Sequence, residues 1–132
     1  MKAVGFTRSL PAADPQSLID FDVPLPVATG TDLLVEVRAV SVNPVDYRVR
    51  RDMGPANLGT RILGYDAAGV VTAVGSDCTL FKPGDEVWYA GELTRQGSNS
   101  QFHLVDERIV GPKPVSLDWA DAAALPLTFI TA

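Results

Sequence analysis

Between positions 43 and 48 the chain sets Asn43, Asp46, Tyr47 and Arg48 close together, and Tyr65-Asp66 follow directly on Gly64. An amide or a phenol can donate a hydrogen bond to a carbonyl or quinone oxygen that gains charge as it is reduced. Such a set positions and polarises, and the hydride itself has to come from a cofactor. Each residue also has an ordinary structural use. Asn43 suits a helix N-cap and Asp46 a helix-end charge, while Tyr47 and Arg48 suit a surface.

Other chemistries are poorly served. Catalytic zinc takes three ligands from Cys, His, Asp or Glu, and the chain holds one Cys, Cys78, and one His, His103, at unrelated spacing. No metal site is expected. Cys78 lies just past the turn Gly75-Ser76-Asp77 with no His or Lys beside it, the setting of a small half-buried apolar residue. His103 shares strand parity with Gln101 and Val105 and reads as a hydrogen-bonded or outward strand residue without catalytic duty. No GxSxG elbow accompanies any serine.

The elements that must hold these residues are mostly strands. Gly64 to Gly75 is the organising stretch, a glycine-framed strand with Val70, Thr72 and Val74 expected on one face and Val71 and Ala73 on the other. Leu33 to Val42 is the longest strand-like run, with Val35, Val37 and Ala39 on one face and Glu36 and Arg38 on the other. Asn43-Pro44 stops it and starts a short helix to about Arg51, followed by a loop from Asp52 to Ile62. Lys2–Thr7, Leu18–Val23, Glu86–Ala90, Ser100–Val105 and Ile109-Val110 complete about seven strands. Helical propensity returns at Asp118–Ala124, and Pro126 opens another helical segment. The pattern predicts a mainly β fold, a small partly open barrel or sandwich with short helices. No GxGxxG fingerprint and no alternation with long helices supports a doubly wound sheet.

Composition narrows the partners. The 132 residues form one domain, and 16 acidic against 11 basic residues give a net charge of −5, which disfavours nucleic acid and anionic membranes. No signal peptide or membrane span is recognised, and a cytoplasmic location fits. The apolar, uncapped close Leu127-Thr128-Phe129-Ile130-Thr131-Ala132 leads us to expect more protein beyond it.

The strings MKAVGF, VEVRAVSVNPVDYRVR, LGYDAAGVVTAVGSDCTLFKPGDEVW, GSNSQFHLVDE and AAALPLTFITA occur in this order. Together they make the chain resemble the N-terminal, GroES-like catalytic domain of the medium-chain dehydrogenase/reductase superfamily. The zinc-free quinone oxidoreductases and alcohol-dehydrogenase-like proteins are the nearest branch. The resemblance implies a GroES-like, partly open β-barrel over 1–125, and over 126–132 the start of a helix leading into a Rossmann domain that binds NADPH. It implies hydride transfer to a quinone or α,β-unsaturated carbonyl, with Asn43 placing the nicotinamide and polarising the acceptor. Tyr47 and Arg48 are then candidate catalytic groups, and Asp46, Tyr65 and Asp66 candidate substrate-binding ones.

In zinc-dependent members a cysteine ligand stands at the place of Asn43, and Gly-His-Glu at that of Gly64-Tyr65-Asp66, so no zinc is expected here. The quinone reductase branch often has a tyrosine two residues beyond the aspartate, a place held here by Arg48, with Tyr47 just before it. The full-length protein is expected to form a homodimer, and residues 1–132 alone are expected to be inactive. Two other readings stand beside this one: a zinc-dependent alcohol dehydrogenase-like enzyme, and a non-catalytic GroES-like scaffold or interaction module.

Overall fold

The computed structural model describes residues 1–55 and 59–132. Strands β1 (Lys2–Phe6), β2 (Ile19–Asp22) and β4 (Arg61–Ile62) form one antiparallel sheet in the order β2-β1-β4. Strands β3 (Asp32–Val40), β5 (Asp66–Val74), β6 (Glu86–Ala90), β7 (Phe102–Asp106) and β8 (Val110–Pro112) form the larger one, in the order β7-β3-β5-β6-β8. Residues 99–101 tie the two together. The Val4 amide donates to Asn99 O, the Gln101 amide to Lys2 O, and the Val37 amide to Gln101 O. The result is mainly β, two joined sheets that form no closed barrel among the described residues.

The larger sheet packs its main core on one face, from Leu33, Val35, Ala67, Val71, Val87, Tyr89 and Val105. Burying a Val or Leu of this kind contributes roughly 1.5–3 kcal/mol. Cys78 packs half-buried at its margin, as its surroundings in the sequence imply. On the opposite face Ala68 meets Ala122 and Ala123 of α2 (Trp119–Ala123), where only small side chains let helix and sheet approach. Asp118 caps that helix by accepting the Asp121 amide at 2.8 Å. Gly69 lies between these contacts, and a Cβ there would collide with the Glu36 carbonyl of β3. This is the close backbone approach that the organising stretch predicts.

The expected alternation along β5 and β3 does not survive, because each strand carries a bulge. Pairing runs Leu34↔Ala73 and then Val35↔Val71, leaving Thr72 without an opposite residue. Val71 and Val74 therefore both reach the main core, where strict alternation had put them on opposite faces. The Thr72 hydroxyl donates to Leu34 O at 3.1 Å, using an acceptor beside the irregularity. A second skip at Arg38 turns Ala39 away from Val35's face and onto the α2 side.

Two further expectations shift. Helix α1 spans Pro44–Arg48 and continues as a wider turn over Val49–Met53, past the expected stop. Arg61–Ile62, placed in a loop by its Gly- and Pro-rich approach, pairs with Gly5 and Phe6 as β4. The middle of that predicted loop, residues 56–58, lies outside the described residues. Helix α3 covers Pro126–Thr131, with Phe129 and Ile130 exposed.

Candidate functional site

The site is assembled where β3 ends, β5 begins and α3 starts. β3 delivers the chain to Ser41, whose amide donates to Asp66 O at 3.0 Å, fixing the strand's exit against the start of β5. Asn43 then takes the N-cap position in extended conformation, and Pro44 opens α1 at a place where a missing N–H costs nothing. Asp46 turns back in a capping box, its Oδ2 accepting the Asn43 amide at 2.8 Å. Its Oδ1 accepts the Gly64 amide at 2.9 Å. Gly64 has φ +110, and a Cβ would stand 2.6 Å from Asn99 Oδ1, so only glycine fits this bend.

Asp66 completes the arrangement. Its side chain is wholly buried, and Oδ2 accepts Asn43 Nδ2–H at 3.2 Å. An ionised carboxylate only accepts, so the Asn43 amide nitrogen must face it. The second hydrogen on Nδ2 points to Ser41 O at 3.4 Å. Both N–H groups are thus engaged, and a lone pair of Oδ1 is what Asn43 can still offer a ligand. Burial raises the carboxyls of both Asp46 and Asp66 above the usual range. The amides of Asn43 and Gly64 pull Asp46 back down, while the Asn43 side chain and the Leu127 amide do the same for Asp66. The negative charge of Asp46 pushes Asp66 further up.

The predicted site residues therefore fall into three groups. Asn43 is half-buried, and the Asp46 and Asp66 side chains that hold it are 6 % and 0 % exposed. Tyr47, 52 % exposed, and Arg48 are exposed residues of α1. Tyr65 belongs elsewhere. It is 1 % exposed, with its ring against Phe6, Val49 and Leu63 and its hydroxyl accepting from Arg61 Nη2 at 3.4 Å. In this domain Tyr65 packs in the core, while the Asp46 carboxylate holds the Asn43 backbone and the Asp66 carboxylate its side chain.

The sequence reading missed the partners that make the cluster cohere, above all the Leu127 amide, 61 residues from Asp66. One signal was available. Pro126 starts a helix, and the next N–H in such a helix has no partner of its own.

His103 behaves as its strand position implies. Its Nε2 lies 2.8 Å from the Gln96 carbonyl, which can only accept, so Nε2 carries the proton and Nδ1 accepts the Tyr89 hydroxyl at 2.8 Å. Burial lowers His103 to about 4 and raises Tyr89, so both stay neutral. Among the described residues no three of His, Cys, Asp and Glu converge on a point that could hold a metal. The donor set at the site does not suit zinc, since Asn43 offers an amide and Tyr65 faces the core.

The alcohol dehydrogenase GroES-like domain matches residues 29–115. The chain belongs to that family. It falls within the medium-chain dehydrogenase/reductase superfamily, as the sequence motifs imply. A zinc-type alcohol dehydrogenase-like protein of Staphylococcus epidermidis is 39% identical over all of this chain, which covers 39% of that protein. A solved Rhizobium etli structure, provisionally described as a zinc-dependent alcohol dehydrogenase, superposes with a TM-score of 0.96 at 62% identity, covering 99% of this chain and 38% of its own. Escherichia coli quinone oxidoreductase, solved with NADPH, superposes at TM-score 0.82 and 26% identity, covering 99% of this chain and 39% of its own. The chain thus spans about two fifths of the length of these relatives. No described helix is long and apolar enough to cross a membrane.

Proposed function

We propose that the chain forms the substrate-side domain of an NADPH-dependent oxidoreductase that reduces quinones or α,β-unsaturated carbonyls. The observation that carries this reading is Asn43, a half-buried amide whose orientation is fixed by a buried carboxylate where zinc chemistry would need a thiolate. NADPH would supply the hydride, held mainly by a dinucleotide-binding domain in the same polypeptide. Asn43 Oδ1 is suited to accept an N–H of the nicotinamide carboxamide and so to orient the ring. The Tyr47 hydroxyl or the Arg48 guanidinium, on exposed residues of the same short helix, would donate to the substrate oxygen that takes up charge.

The same reading extends to a zinc-free, cytoplasmic homodimer in the full-length state, with no nucleic-acid or membrane partner. Steady-state assays with NADPH and a panel of quinones and enals test it. Residues 1–132 alone should oxidise no NADPH, while the polypeptide that continues into a nucleotide-binding domain should. In that longer protein Asn43→Ala should lower kcat/KM by roughly ten- to a thousandfold. Turnover by residues 1–132, or an Asn43→Ala enzyme of full activity, refutes the reading.

A further inference from the structure

Asp66 makes one contact that orienting Asn43 does not require. While Oδ2 holds the Asn43 side chain at 3.2 Å, Oδ1 accepts the Leu127 amide in the first turn of α3, also at 3.2 Å. Its backbone oxygen holds the Ser41 amide at 3.0 Å, so the residue is anchored from the strand side as well. The carboxylate is wholly buried, and a buried charge depends on every donor it has. From this geometry we infer that Asp66 is a positioning residue that couples the orientation of the Asn43 amide to the seating of α3.

The coupling follows from valence and charge. A carboxylate whose two oxygens each take one N–H is balanced in one rotational setting. If α3 shifts and withdraws the Leu127 amide, the remaining charge is compensated from one side only. The carboxyl group then turns or takes up water or a proton, and each response loosens its hold on the Asn43 amide. Conversely, losing Asn43 Nδ2 loosens the hold on Leu127. A displacement of the helix that follows the domain is thereby felt at the group proposed to orient the nicotinamide. That catalytic meaning rests on the function proposed above, whereas the coupling itself does not.

Amide hydrogen exchange on 15N-labelled residues 1–132 tests it without any substrate. Asn43→Ala should speed exchange at the Leu127 amide roughly tenfold, as loss of a charge-assisted hydrogen-bond partner would. The Ala122 amide, bonded to Asp118 O within α2, should keep its rate. Asp66→Asn keeps the shape but can accept only one of the two N–H groups. It should shift the Asn43 side-chain NH₂ signals and accelerate Leu127 exchange together. Unchanged or slower exchange at Leu127 in the Asn43→Ala protein overturns the inference. Acceleration shared equally by Leu127 and Ala122 also overturns it, because that reports general loosening. If Asp66→Asn does not fold, the Asn43→Ala comparison decides alone. Neither readout involves turnover, so an inactive enzyme with intact coupling would sink the function and leave this inference standing.

Discussion

Replacing His103 with glutamine should remove most of the acid sensitivity of this fold between pH 6.5 and pH 4. The imidazole is buried between the Tyr89 hydroxyl and the Gln96 carbonyl, and burial lowers it from 6.5 to about 4. In the unfolded chain it titrates near 6.5, so below that pH the unfolded state binds a proton that the folded state refuses. Stability is therefore fully present above 6.5 and is lost as pH falls. The slope is about 1.4 kcal/mol per pH unit, and by pH 4 the loss reaches about 3 kcal/mol. Glutamine keeps both hydrogen-bonding roles, with Nε2–H toward Gln96 O and Oε1 toward the Tyr89 hydroxyl, and does not titrate.

Asp46 and Asp66 act with the opposite sign. Their raised carboxyls favour the folded state as pH falls, but they are present in both proteins and leave the difference intact. The lowered carboxylates of Asp22, Asp52, Asp85 and Asp106 lose their contributions mainly below the ordinary value of 3.8 and that of Glu107 below 4.5, but all are present in both proteins and leave the difference intact. Urea unfolding followed by the fluorescence of Trp88 and Trp119, at steps from pH 7.5 to pH 4, measures the effect. Wild type should lose stability faster than His103→Gln across this range, with the curves running parallel above 6.5. Parallel curves throughout would refute the tautomer and burial argument, whatever the fixed cost of the substitution.

Three further outcomes follow from the same structure. Gly69→Ala drives a methyl into the Glu36 carbonyl and should destabilise by about 1–3 kcal/mol or more, seen as a lowered urea midpoint. Gln96→Ala removes a side chain that accepts the Ile62 amide at 2.7 Å and donates to Thr60 O at 2.8 Å. It should cost about 1–3 kcal/mol, with faster exchange at the Ile62 amide. Elemental analysis of the full-length protein purified without chelators should find zinc well below one per chain, and stoichiometric zinc that restores activity would contradict the donor set at Asn43 and Tyr65.

Much of the fold could be read from local chemistry. The strands over 2–7, 86–90 and 100–105, the Asn43-Pro44 helix start and the helix after Asp118 depend on residues near one another in the chain, and each occurs within a residue or two of its expected place. Gly64 and Gly69 also carried their meaning in type and position, since only glycine tolerates that bend and that close approach. The face that each residue presents was not readable in the same way. A bulge exists only relative to a partner strand, so the skips at Thr72 and Arg38, which bring Val74 to the core and turn Ala39 to α2, were decided when β3 met β5.

The site divides along the same line. Sequence alone supplied an amide and two carboxylates near one another, and only one Cys and one His at unrelated spacing. Tertiary structure decided which groups face solvent, burying Tyr65 against Phe6 and leaving Tyr47 out. It also brought the Leu127 amide to Asp66 from 61 residues along the chain. Side-chain type fixes what a group can donate or accept, but burial and long-range backbone partners, which set its charge and direction, exist only once the chain has closed on itself.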